Sequence, residues 1–410
     1  MKPTFIAASP NVQFDDLVLS LNTLVSFWGW YHKQPVAELE NLVSDYHGGR
    51  SVTAFDSART AFYFLLKAYG IGPGDEVLVP AFTCLVVVNP IIWLGAKPVY
   101  VDNGPDFNID LEDLERKLTP KTKAVLVQHT FGRPVDVTEV RRITGNNIKI
   151  IEDTAHSLGG KFRGEQVGTM GDAAILTFGI EKVISCVRGG MALATDPMIA
   201  EKLKEYQAQA KNFSRRRVLV SLLNPVFWYL ITPVYYVGIG KFTLGRIFAK
   251  LAHVFSLFGN MIEPVEYKAE KPNWFPAKLP GALAVLALHQ FKKLDKYNDH
   301  RNVIADIYQR HLNIPAADAG RVYLRFPLLV DDRVAVMNKA KRKHVVLGDW
   351  YKNILYSPES NLHYFGYVKG SCPVAERQAA SIINLPTGVN LSPETAEMIA
   401  NLVKPHQHAA

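Results

Sequence analysis

"TFGIEKVISCVRGGMA", residues 177–192, joins two apolar runs, "DAAILTF" before it and "GGMALAT" after it. Each run has the length and composition of a buried strand. The join carries one lysine, Lys182, one arginine and two adjacent glycines. A lone ammonium on a short connection between buried strands is destabilising unless something uses it. The rest of the chain has to supply the user.

Working outward from that join, short apolar runs alternate with helix-like stretches from residue 50 to 195. "DEVLVPAF", "AKPVYVD", "KAVLVQHT" and "IKIIEDTA" read as strands rich in Val, Ile and Leu that end in polar or turn residues. Runs of this kind are buried on both faces, as in a parallel sheet. "ARTAFYFLLKAYGI", "VNPIIWLG" and "DLEDLERKL" between them read as helices. The pattern predicts an α/β fold with a mainly parallel central sheet flanked by helices. Ligands in such sheets bind at the carboxyl ends of strands. Asp153, Thr177 and Lys182 all fall at or just past such ends.

The 410 residues suffice for a large domain and a smaller one. The division read from the pattern is an N-terminal segment 1–49, a large domain 50–305 and a smaller α+β domain 306–410. "ALAVLALHQFKKLDKYNDHRNVIADIYQRHL" reads as one long amphipathic helix near that boundary. An aromatic-rich apolar insertion occupies about 214–262. It opens with Arg215, Arg216 and Arg217 and then carries no charge from Val218 to Gly240. Roughly 20 apolar residues can span a bilayer, but Pro225 and Pro233 interrupt this stretch. A buried insertion or subunit interface and an in-plane membrane contact through 215–258 are the two readings carried forward.

The net charge of +8 suits acidic small molecules or an anionic membrane surface. Nothing in the motifs supports nucleic acid, and no metal site is expected. Cys84, Cys186 and Cys372 are far apart, which fits a reducing compartment without a disulfide framework. The N-terminus has no long apolar run, so no signal peptide is expected.

A lysine beside carbonyl chemistry points to a Schiff base, and pyridoxal phosphate is the cofactor that most often uses one. It also needs a carboxylate for its pyridine nitrogen and a cradle for its phosphate. Asp153 supplies the first. Ser57, Ala58 and Arg59 open a helix, where free N–H groups and the dipole favour an anion. Taken singly, these are a strand-end turn residue, an N-cap and a loop lysine; their order along one α/β domain joins them.

At these residues the chain resembles the DegT/StrS-type sugar aminotransferases, of the type I (aspartate aminotransferase) fold. "GIGPGDEVLVPAFT", "FNIDLEDLERKLTPKTKAVLVQHTFGRPVD", "IEDTAHSLGGKFRGEQVGTMGDAAILTF" and "CPVAERQAASIINLPTG" carry the resemblance, over roughly 10–200 and 265–405. It implies that Lys182 is the Schiff-base lysine and Asp153 the partner of the pyridinium. It places His156 beside the cofactor ring, and Thr177 with Ser57, Ala58 and Arg59 at the phosphate. Cys84 stands where the family has a ring-stacking aromatic, and Val183 where it has an asparagine. A partner-subunit asparagine-tyrosine-arginine motif becomes Pro276, Ala277 and Lys278, with Asn273 nearby.

The cysteine usage points to the cytoplasm, and the resemblance further implies a homodimer. Its amino donor would be glutamate and its acceptor a nucleotide-linked keto sugar, in polysaccharide or glycoconjugate synthesis. Two alternatives stay open: another pyridoxal phosphate enzyme acting on a non-sugar ketone or amino acid, and a non-catalytic membrane-associated relative.

Overall fold

The computed structural model describes residues 4–6, 11–239, 242–254, 260–315 and 320–407. Among these, seven strands form the central sheet: β1 (Ser51–Phe55), β2 (Glu76–Pro80), β3 (Lys97–Val101), β4 (Thr122–Gln128), β5 (Lys149–Asp153), β6 (Ala173–Thr177) and β7 (Gly190–Ala194). Their spatial order is β1-β7-β6-β5-β4-β2-β3. Strands β6, β5, β4, β2 and β3 pair in parallel, and β7 runs antiparallel to both β6 and β1. The mainly parallel sheet is therefore present. The join that carries Lys182 is the turn that reverses the chain from β6 into β7.

That reversal gathers the site. The carboxyl ends of β1, β5 and β6 and the start of β7 lie at one edge of the sheet. Helix α1 (Gln34–Tyr46) precedes β1, and helix α2 (Ala58–Ala68) begins three residues after it. Its Ala61, Phe62, Leu65 and Leu66 are fully buried, the spacing of one helix face. Each such large side chain contributes about 1.5–3 kcal/mol on burial, so packing fixes where the helix starts. Ser57 caps it by accepting the Thr60 N–H. Gly190 lets β7 approach this start, because a Cβ there would lie 2.1 Å from the Ala58 nitrogen.

The stretch read as one amphipathic helix is two, Gly281–Phe291 and Leu294–Leu312. They meet where the Lys293 ammonium is drawn to Asp15 and Asp16, at 2.7 and 3.1 Å. The second helix runs without a break through position 305, where the sequence pattern puts the end of the large domain. The C-terminal region adds an antiparallel pair, β8 (Arg325–Leu329) with β9 (Ile382–Pro386).

In the insertion, Pro225 does not end the apolar helix, which runs from Arg215 to Ile231. Val218, Leu222 and Pro225 are buried against the protein, and Ser20 donates to the Leu222 carbonyl at 2.6 Å. Tertiary packing thus outweighs the one backbone bond a proline removes. A 3-10 turn at Thr232–Val234 and a helix at Leu244–Val254 follow.

Candidate active site

Lys182 sits on a turn that is held from three sides. Its own N–H donates to the Gly179 carbonyl at 3.2 Å. Asn11 Nδ2 donates to the Lys182 carbonyl at 2.8 Å, and Arg301 Nη2 to the Val183 carbonyl at 2.6 Å. Val183, where the resemblance has an asparagine, is buried in the core behind the turn. The side chain then points into a cavity of about 450 Å³. That lies within the size range of small-molecule sites.

The cavity brings together nearly all the residues singled out from the sequence. Ser57, Ala58, Arg59, Cys84, Asp153, Thr177 and Lys182 line it. His156 does not: it is fully buried one layer back, with its Nε2 3.1 Å from the hydroxyl of Tyr351, which does line the cavity. Cys84 caps the helix Leu85–Trp93 by position, without a side-chain bond. Lys278 and Asn273 lie outside the cavity wall. Lys278 Nζ is exposed and donates to the Ala208 carbonyl at 2.7 Å, while the Asn273 carbonyl accepts from Lys211.

The charges in the cavity are poised rather than neutralised. Burial lowers the pKa of the Lys182 ammonium, and the opposing pull of Asp153 does not restore it. Its amine is therefore closer to neutral, as a nucleophile or base requires. Asp153 is 3% exposed, and its carboxylate accepts one backbone N–H, from Ala155 at 2.9 Å. Burial raises its pKa against the pull of that bond and of Lys182. Burial likewise raises the Cys84 thiol, so it is a neutral wall.

At the start of α2, Arg59 is ion-paired with the buried Glu266 and donates to the Met261 carbonyl. Its Nε has no hydrogen-bond partner among the described residues. Burial and the neighbouring Arg188 guanidinium lower its pKa to about 10, so it stays charged at neutral pH. Among the described residues, Thr177 Oγ1 is engaged only by a long bond from the Gly179 N–H, at 3.4 Å.

Three groups of cavity residues were not legible from the sequence. Trp350 lies over Lys182, its ring centre 4.5 Å from Nζ, and packs parallel to the His156 ring at 5.3 Å. The Arg325 guanidinium covers Trp350 at 3.4 Å and is paired with Glu181. Asn384 clamps the Trp350 backbone in both directions, at 2.8 and 2.9 Å. Arg188, in the opening stretch, lines the cavity beside Gly189. Asn224 and Trp228 bring the apolar insertion into the wall.

Comparison with known proteins matches residues 21–223 and 247–404 to the DegT/DnrJ/EryC1/StrS aminotransferase family. The gap between the matched blocks falls inside the insertion. GDP-perosamine synthase of Caulobacter vibrioides is 33% identical over 216 residues, 52% of this chain and 58% of that protein. The aligned stretch thus spans little more than half of that relative. UDP-N-acetyl-3-dehydro-alpha-D-glucosamine 3-aminotransferase of Acidithiobacillus ferrooxidans is 25% identical over 387 residues, 91% of this chain and 87% of that protein. In fold, the chain is similar to PseC of Helicobacter pylori, an aminotransferase involved in the biosynthesis of pseudoaminic acid. The TM-score is 0.75 at 18% identity, over 98% of both chains.

Proposed function

The chain belongs to the DegT/DnrJ/EryC1/StrS aminotransferase family, and on that premise we propose that it transfers an amino group from glutamate to a keto sugar carried on a nucleotide. The relatives named for GDP- and UDP-linked sugars support the acceptor class. The product would serve polysaccharide or glycoconjugate synthesis. The observation that carries the reading is one cavity holding an amine, a buried carboxylate and a cationic helix start on separate walls.

The family works with pyridoxal 5′-phosphate, and the residues present fit it. Arg59 keeps an unpartnered Nε at the capped N-terminus of α2, which suits a phosphate. Asp153 has room for a second hydrogen bond from a protonated ring nitrogen. When bound, the cofactor supplies an aldehyde that an amine can join and a ring that draws electrons from the reacting carbon.

The chain's own groups do the rest. Lys182 Nζ, its pKa lowered by burial, takes the proton from the reacting carbon and returns it one step later. Asp153 keeps a positive charge on the pyridine nitrogen. Ser57, Thr177 and Arg59 anchor the phosphate. Trp350, Phe62 and Ile175 line the cavity with apolar surface and keep water from the carbon being deprotonated.

The test uses the absorbance spectrum of the purified protein with added pyridoxal phosphate, before and after borohydride, followed by peptide mapping. The expected result is cofactor fixed to Lys182. A folded protein that yields no adduct would leave the non-catalytic reading in its place. Turnover with glutamate and a panel of nucleotide-linked keto sugars then separates this reaction from one on a non-sugar ketone.

The same proposal extends to assembly and place: a cytoplasmic homodimer that touches the inner face of the membrane. An exposed apolar face supports the contact. Leu230, Phe242, Ile247, Phe248 and Leu251 are all exposed, with exposed Arg215, Arg216 and Lys250 on the same insertion. That combination suits an anionic bilayer surface. The helix is long and apolar enough to cross a membrane, but its buried inner side supports lying in plane. Co-sedimentation with phosphatidylserine vesicles should fall when Phe242 and Phe248 are both replaced by serine. Unchanged sedimentation would remove the membrane contact.

A further inference from the structure

His156 is fixed in one protonation form by its neighbours. The Phe131 N–H donates to its Nδ1 at 3.2 Å, so Nδ1 must carry a lone pair. Burial and the positive charges of Lys182 and Arg325 keep the ring neutral, and its proton then sits on Nε2. That N–H faces the Tyr351 hydroxyl at 3.1 Å and donates to it. A phenol oxygen that accepts from one side keeps its own O–H to donate elsewhere. Among the described residues the Tyr351 hydroxyl has no other partner, and the residue lines the Lys182 cavity at 4% exposure.

The arrangement is held at some cost. Phe131 has a left-handed backbone, φ 50° and ψ 29°, a conformation that is strained for a bulky residue. That conformation aims its N–H at His156, and its ring stacks on the imidazole at 5.7 Å. On the cavity side, Trp350, the residue before Tyr351, covers Lys182 Nζ. Two neighbouring side chains therefore line the Lys182 cavity together.

We propose that Tyr351 is a further catalytic residue, its phenol O–H donating a hydrogen bond to the carbonyl oxygen that reacts in the Lys182 cavity. His156 and Phe131 are positioning residues for that donor. This rests on the aminotransferase reading. When an amine adds to the carbonyl carbon, the C=O electron pair moves to oxygen, and the phenol stabilises the charge there. The oxygen then leaves as water with the two protons the amine gives up, and the phenol is unchanged.

Tyr351→Phe tests this, because it removes one oxygen and keeps the ring, which packs edge-on to Phe82 at 5.3 Å. Holoprotein converted to its pyridoxamine form is mixed with 2-oxoglutarate, and the return of the visible absorbance is followed. The variant should react about 10²-fold more slowly, with pyridoxal phosphate affinity and melting temperature unchanged. Replacing Tyr351 by 3-fluorotyrosine, a more acidic phenol, should restore the rate and move the alkaline limb of its pH profile to lower pH.

Equal rates in wild type and Tyr351→Phe overturn the proposal alone. So does a loss of cofactor affinity or stability that accounts for the slower rate. A wild-type holoprotein that reacts with no keto acid overturns the aminotransferase reading, and this proposal with it.

Discussion

Glu152 and Asp153 are neighbours on β5, both buried, and the pleat sends them to opposite faces of the sheet. Glu152 is saturated. It accepts the N–H groups of Gly168, Met170 and Gly171 at 2.6–2.8 Å and the ring N–H of His129 at 3.0 Å. His129 is held to that role because its other nitrogen accepts the Val135 N–H. Burial alone would raise the Glu152 pKa, but these donors pull it below the ordinary value. Asp153 accepts one backbone N–H, and burial wins. A carboxylate whose oxygens are all taken ties loops to the sheet. One left open to a cavity is placed to receive a cation. The same chemical group, one residue apart, is saturated on one face and left open to a cavity on the other.

The comparison breaks most visibly on the functional side with Lys182→Ala. Conversion of bound cofactor by glutamate should fall by about 10⁴-fold, with the melting temperature nearly unchanged. A stability loss as large as the activity loss would mean that Lys182 belongs to the structural side. Next comes Glu152→Ala, which strands the donors of a fully engaged buried carboxylate. Urea unfolding should register a loss of about 3–5 kcal/mol. A folded, inactive Glu152→Ala protein would place Glu152 in the reaction instead.

How much of this was legible in the sequence follows the same divide. That Asp153, Lys182 and the Ser57–Arg59 helix start would share one cavity was readable because they fall at strand ends and a helix start of one α/β sheet. Six of the sheet's seven strands came from apolar runs of the right length; β1, in "SVTAF", was not singled out. The split of the long helix was missed; at the break Lys293 pairs with Asp15 and Asp16, a long-range contact that no local pattern shows. Trp350 and Tyr351 were missed for the same physical reason. They lie about 170 residues beyond Lys182 in sequence, and only the packing of the C-terminal region against the sheet brings them over it. Cys84 was read as a lost stacking partner; the aromatic cover over Lys182 comes instead from Trp350. His156 was expected beside the cofactor; its side chain is buried one layer behind the cavity wall, 3.1 Å from the Tyr351 hydroxyl.

Asp153→Asn should lower activity by about 10²–10³-fold, the scale for losing one preorganised electrostatic partner. It should leave the apoprotein at least as stable at neutral pH. The sharper reading is the sign of its pH dependence. Asp153 has a raised folded pKa, so the folded state holds the proton more tightly than the unfolded chain. Its contribution to stability therefore falls as pH rises from the ordinary aspartate value, about 3.9, towards the folded one. Glu152 runs the other way. Its folded pKa is depressed, so its contribution is complete above the ordinary glutamate value, about 4.3, and is lost as pH falls through the folded one. Thermal melts of apoprotein between pH 3 and 7 should find that Asp153→Asn removes the first slope and Glu152→Gln the second. If both variants tilt the stability curve in the same direction, the two carboxylates do not occupy opposite environments, and the division between the two faces of β5 fails.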